Sequence, residues 1–220
     1  MVELWLVRHG ATEWNTEGRW QGQTDVPLSA VGQAQALALG DHLRALHASK
    51  PFDAIVSSDL SRAADTARAI GSALTLPVAL DEQLREEQYG VLEGHTAAEM
   101  QADPILLAAW RARKAGRPSD GAESRADFYE RVGGALEALR LRTGRVLVVA
   151  HGSFIINCYR HVHGHAIGST VIRQGRCPRI GNTSLSILHG SPATWAVARC
   201  QWGLTPHLAA GDSSASLLDE

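Results

Sequence analysis

Two short apolar runs in this sequence stop at the same dipeptide. Glu3 to Val7 ends at Arg8-His9-Gly10, and Val146 to Ala150 ends at His151-Gly152. A third run, Phe52 to Val56, stops at Ser57-Ser58, just ahead of Asp59 to Arg62. Runs this short and this apolar read as buried parallel strands, and open α/β sheets collect ligands at the carboxyl ends of their strands. If the strands are parallel neighbours, two imidazoles and two guanidiniums, Arg8 and Arg62, converge on one crevice. Glycine after each histidine, Gly10 and Gly152, lets the backbone approach a ligand closely. Arginine, histidine and exposed backbone N–H groups together suit a phosphate dianion.

Histidine can also act as a covalent nucleophile, and its neutral imidazole is populated at pH 7, given an ordinary pKa of about 6.5. Attack on phosphorus would give a phosphoramidate labile enough to be passed to water. Arg8 and Arg62 would neutralise the equatorial oxygens as charge develops, so neither a metal nor another cofactor is expected. The leaving alkoxide needs a proton. Glu86, Glu87 and Glu93, all within LREEQYGVLEG, are candidates for it.

Other groups bear on the chemistry less directly. His161, His163 and His165 form an HxHxH run, which suggests a metal because imidazole is a common ligand. Alternate residues share a face only in a strand, and this run follows a predicted helix, so a helix end with a polar turn is the better reading. Trp14 and Trp20 flank the first phosphate loop and could line the substrate mouth. Arg111, Arg113, Lys114 and Arg117 read as a solvated face, with contact to an anionic substrate tail as the alternative.

The elements that must position these groups are legible in outline. Ser29 can cap a helix to about Ala48 with Leu39, Leu43 and Leu46 on one face. Ser61 can cap another from Arg62 to about Leu74. Ser124 to about Leu141 carries Phe128, Val132, Ala135 and Leu139 at helical spacing, and Phe154 to Val162 continues from the His151 strand. Leu185 to Leu188 and Trp195 to Ala198 read as further strands about a Gly190-Ser191-Pro192 turn. Pro104 to Ser124 is polar and irregular and reads as an excursion from the core. The alternation predicts an α/β three-layer sandwich: a mostly parallel central sheet, helices on both faces and an antiparallel edge strand. A single catalytic domain is expected over residues 1–210, with a flexible tail at 211–220.

Composition agrees. The 220 residues (23.6 kDa) are 45% hydrophobic and 20% charged, which argues against disorder. Basic and acidic residues number 21 and 23, a net charge of −2, so nothing pulls the chain toward nucleic acid or an anionic membrane. The partner expected is a small phosphorylated metabolite, with a homodimer as the default assembly. Cys158, Cys177 and Cys200 are too few and too scattered for a disulfide scaffold, so a reducing, cytoplasmic setting is the easier reading. No secretory signal and no bilayer-length apolar run stands out.

The segment LVRHGATEWN, followed by GRWQGQTDVPLS, resembles the opening of the histidine phosphatase superfamily, in the branch containing the cofactor-dependent phosphoglycerate mutases. SSDLSRAADTA, LREEQYGVLEG, VLVVAHG and GNTSLSIL match in order, so the resemblance runs from about Leu4 to Leu188. It implies that His9 is the phosphorylated nucleophile, that Arg8, Arg62 and His151 complete the phosphate pocket, and that Glu86 is the general acid and base. Asn15 matches the position that reaches the phosphate from the first loop; Gln21 and Gly22 match the second part of that loop. Asn182 and Thr183 sit where a contact could form. The chain also departs from the mutases. Gly94 to His151 spans only 57 positions and holds no Arg-Arg-Tyr cluster, while SDGAES resembles the Gly-Glu-Ser stretch of phosphatase members. Hydrolysis is therefore expected over transfer. The alternatives are a phosphoglycerate mutase, a non-catalytic phosphate-binding protein, and a metal-dependent hydrolase built on the HxHxH run.

Overall fold

The structure, a computed structural model, describes residues 1–166 and 177–208. Its sheet has six strands: β1 (Val2–Arg8), β2 (Ala54–Ser57), β3 (Val78–Leu80), β4 (Gly144–Ala150), β5 (Leu185–Gly190) and β6 (Gln201–Leu204), in the order β3-β2-β4-β1-β5-β6. The first four lie parallel, and β5 and β6 continue the sheet antiparallel.

Seven helices surround it among the described residues: α1 (Glu13–Glu17), α2 (Ala30–Ser49), α3 (Ser61–Leu74), α4 (Ala97–Ala102), α5 (Pro104–Lys114), α6 (Arg125–Arg140) and α7 (Gly152–Val162). Both central strands are apolar on both faces because both faces are covered. Leu4 and Leu6 of β1 and Val146 and Val148 of β4 pack with Phe128, Val132 and Phe154 of α6 and α7. Trp5, Val7, Leu147 and Val149 pack on the opposite side with Leu39, Leu43, Ala63 and Ile70 of α2 and α3. This is the expected three-layer sandwich with an antiparallel edge. The β1–β4 register pairs Arg8 with Ala150, so His9 and His151 leave adjacent strands at one level.

Three local expectations need correction, and one strand was not expected. The last strand is β6, not Trp195 to Ala198. Trp195 bridges Gly190 and Ala196 N donates to His189 O at 2.8 Å, but the pairing ends there because Val197–Arg199 turns away as a 3₁₀ helix. Ser61 does not cap α3. It is the first helical residue, its N–H is taken by Asp25 Oδ1 at 2.7 Å, and the cap position is Leu60. Pro104 to Ser124 is not wholly irregular, since α5 starts at Pro104, where a missing N–H costs nothing, and Asp103 accepts from Ile105 N and Leu106 N. β3 escaped notice because it is short and largely exposed, as suits an edge. The expected tail at 211–220 lies outside the described residues. No described helix is long and apolar enough to cross a membrane.

Candidate functional site

The crevice above β1 and β4 is lined by Arg8, His9, Asn15, Arg19, Trp20, Gln21, Gly22, Arg62, Glu86 and Tyr89. Its floor is the end of β1. His9 is 3% exposed, and its Nδ1 lies 2.7 Å from the Gly10 carbonyl. A carbonyl only accepts, so Nδ1 carries the proton and donates, and Nε2 keeps its lone pair. Gly10 N donates to Thr66 Oγ1 at 3.0 Å, which ties this turn to α3. A Cβ on Gly10 would lie 2.5 Å from the Gly32 carbonyl oxygen, so only glycine lets α2 pack this close. His151 is fully buried beside His9, the ring centroids 5.2 Å apart, with its Nε2 2.9 Å from Ser58 Oγ.

Two buried arginines face this pair. Arg8 Nη1 donates to Ile180 O at 2.8 Å; Arg62 donates from Nη1 to Thr24 O and from Nη2 to Gly22 O. Burial pulls each guanidinium from 12.5 down to about 10, which still leaves both cationic at neutral pH. The Nε of each is buried without a partner. Orphaned cationic donors on two sides of a neutral imidazole are a site made for an anion. Burial first, and then the charges of Arg62 and Arg8, push the His9 pKa well below 6.5; burial and Arg62 do the same to His151.

These two depressed histidines make the fold acid-sensitive in a defined way. Above pH 6.5 both are neutral folded and unfolded, and no penalty arises. Below it the unfolded chain binds protons that the folded site refuses, so stability falls as pH drops toward the folded values. Each histidine is therefore expected to make the fold less stable at pH 5.5 than at pH 7.5. Denaturant titrations at both pH values should show a smaller acid loss in a His9→Asn, His151→Asn double variant; an equal loss would refute this account.

The opposite wall is the acid loop. Glu86 Oε1 accepts from Glu87 N at 2.9 Å and Oε2 from Ser153 N, in the first turn of α7, at 3.0 Å. Of the three candidate carboxylates, Glu86 is the one that lines the crevice. Glu87 points away and pairs with Arg113 at 2.7 Å. Glu93 is a structural clasp: its oxygens take the N–H groups of Gln23, Thr24 and Tyr89. This requires Gly22, whose φ is +54° and whose Cβ would collide with Glu93 Oε1.

The first loop supplies the remaining expected groups. Asn15 forms a capping box with Thr12, and its Oδ1 also accepts from Asn182 Nδ2 at 3.2 Å. Gln21 lines the crevice with Oε1 buried and unpartnered. Asn182 Nδ2 also donates to the His9 carbonyl, and Thr183 N to the Arg8 carbonyl. Gly152 is not in the lining; it is the first residue of α7.

The structure adds groups that motif reading had no signal for. Ser58 orients His151. Tyr89 lines the crevice, with its hydroxyl 2.8 Å from Ser153 Oγ. Arg131 of α6 clamps the acid loop through the carbonyls of Gln83, Arg85 and Glu86, and pairs with Glu123 of the SDGAES segment. The HxHxH run forms no common face. His161 Nε2 meets Tyr129 O at 2.8 Å, while His163 and His165 pack about Tyr159. Among the described residues no three His, Cys, Asp or Glu side chains gather as a metal site.

Known proteins resemble this chain in sequence and fold. A probable phosphoglycerate mutase GpmB from Salmonella arizonae is 39% identical over 158 residues, which cover 69% of this chain and 70% of that protein. YhfR of Bacillus stearothermophilus superposes with a TM-score of 0.79 at 30% identity, covering 94% of this chain and 99% of that one. A mycobacterial glucosyl-3-phosphoglycerate phosphatase with VO3 superposes at 0.73 and 32% identity, covering 92% and 99%. A phosphoserine phosphatase of Entamoeba histolytica with 3-phosphoglyceric acid does so at 0.72 and 28%, covering 95% and 100%. The sequence model of the histidine phosphatase superfamily, branch 1, matches residues 4–203, a span that holds His9, Arg62, Glu86 and His151. The ordered motifs, the sheet that presents them and this match agree, and the chain belongs to branch 1 of the histidine phosphatase superfamily.

Proposed function

We propose that the protein is a metal-independent phosphatase that hydrolyses a small phosphomonoester through a phosphohistidine on His9, with Glu86 as general acid and then base. One observation carries this reading. The bond from His9 Nδ1–H to the Gly10 carbonyl leaves Nε2 as the nucleophile in a crevice that also holds Arg8, Arg62 and Glu86. In the first step the Nε2 lone pair attacks phosphorus. The bond from phosphorus to the ester oxygen breaks, and protonated Glu86 gives its proton to that oxygen, so the alcohol leaves neutral. In the second step water attacks phospho-His9 and the Glu86 carboxylate takes its proton. The N–P bond breaks, phosphate departs, and Glu86 ends protonated as it began. Arg8 and Arg62 hold the phosphoryl oxygens throughout.

Hydrolysis is favoured over transfer because basic residues of α5 are already engaged. Arg113 is paired with Glu87, and Lys114 Nζ sits 3.9 Å from the Trp110 ring centroid. The resemblance to a probable phosphoglycerate mutase makes transfer the second reading. The two are separated by a panel of phosphomonoesters that includes 3-phosphoglycerate, with and without 2,3-bisphosphoglycerate, in excess chelator. The expected result is phosphate release that ignores both chelator and primer. Primer-dependent isomerisation without release would establish the mutase; loss of release with chelator would establish a metal enzyme.

A further inference from the structure

The strongest unexplained feature is a buried ion pair one residue from the proposed acid. Glu87 follows Glu86 directly, and its side chain is only 6% exposed. Two adjacent carboxylates held out of water are costly unless one is neutralised. The neutralising charge comes from another element: Arg113, near the end of α5, puts Nη2 2.7 Å from Glu87 Oε2. The same guanidinium lies 5.1 Å from the Trp20 ring centroid and 4.8 Å from that of Tyr89, two rings that line the crevice. Its Nε is buried without a partner. Neither the nucleophile nor the phosphate groups depend on this pair.

From this placement we infer that Arg113 is a positioning residue for Glu86: it neutralises Glu87 and so sets the charge beside the proton donor. The inference rests on Glu86 being the acid. The other groups facing the two carboxylates are Arg8 from β1, Arg62 from α3, Arg125 from α6 and Arg160 from α7, with Tyr89 from their own loop, while Arg131 of α6 donates to the Glu86 main-chain carbonyl. Burial raises the Glu87 pKa, with the Glu86 charge adding to the rise, while Arg113 works against it. Without Arg113 the two buried carboxylates would hold one proton between them to higher pH; without Glu87 the bare guanidinium would favour the Glu86 carboxylate.

The test is the pH dependence of kcat/KM, whose alkaline limb reports deprotonation of the acid in the free enzyme. An alkyl phosphate is the substrate. An aryl phosphate, whose leaving group needs little protonation, is the control. Arg113→Gln is expected to move the alkaline limb up by about one pH unit on the alkyl ester, and Glu87→Gln to move it down. The double variant should return close to wild type, Arg113→Lys should stay there, and KM should change by less than about threefold in all. Should Arg113→Gln fail to fold, Glu87→Gln and Arg113→Lys carry the same test. A KM raised about tenfold with an unmoved limb would overturn the inference and make Arg113 a substrate contact. Unmoved limbs in every variant would overturn it too and leave the pair a purely structural bridge. An alkaline limb that persists in Glu86→Gln would overturn the acid assignment itself, a failure distinct from that of Arg113.

Discussion

His9→Ala is expected to lower turnover by ~10⁴-fold or more on every phosphomonoester, alkyl or aryl, because no other group in the crevice can form the covalent intermediate. His151 is the nearest imidazole, but its Nε2 is engaged with Ser58 and its ring lies outside the crevice lining. The variant should keep its fold and still bind inorganic phosphate, since Arg8 and Arg62 reach the site from β1 and α3 independently of the His9 ring. A direct check is to trap the intermediate: brief mixing of wild type with labelled ester, then a denaturing quench, should leave label that is stable in base and lost in acid. His9→Ala should retain none. Retention of most activity, or label surviving in the variant, would refute the nucleophile assignment.

Glu86→Gln is expected to separate substrates by leaving group. An alkyl phosphate must be protonated as it leaves, so its first step should slow by about 10²–10⁴-fold. An aryl phosphate should lose far less in that step, and its phenol should appear as a burst if water attack on phospho-His9 becomes limiting. The amide keeps the side chain's size and can still accept from Glu87 N or Ser153 N, so loss of fold is not expected. Thermal melts would verify this. An equal loss on both esters, with no burst, would point to a structural role or to Glu87.

What could be read in the sequence was whatever depends on short apolar runs and fixed dipeptides. β1 and β4 are buried on both faces, so their uninterrupted apolar runs announce them, and the residues at their ends, His9 and His151, follow from strand polarity. Ser29 and Ser124 cap α2 and α6 as their side chains suggest. Groups whose roles depend on contacts distant in sequence were not legible. Side-chain chemistry alone does not distinguish Glu86 from Glu87 or Glu93; the family motif points to Glu86, and what engages the other two is Arg113, 26 residues from Glu87, and Thr24 and Gln23, about 70 residues from Glu93. α5 was hidden because its second half, Arg111 to Lys114, is basic; only Asp103-Pro104 marked its start. β6 was misplaced because Trp195 and Val197 look like a strand; Trp195, Cys200 and Trp202 all pack against the core, so apolar content does not separate the two segments.

The order of the sheet divides the crevice into two parts that should breathe on different timescales. His9 hangs from β1, hydrogen-bonded on both sides by β4 and β5. Its amide environment can open only if the centre of the sheet comes apart, so hydrogen exchange there should track global unfolding. Glu86, Tyr89 and Trp20 belong to loops, and the two rings join a small satellite core with Leu92, Met100 and Trp110, under the short α4 and α5. That satellite can loosen by itself, as a low-energy sub-global fluctuation, while the phosphoryl-holding side stays intact. On the proposed mechanism, alcohol release and water entry would need motion only on that softer side, and a labile N–P bond would be shielded or exposed without disturbing the groups that bear its charge.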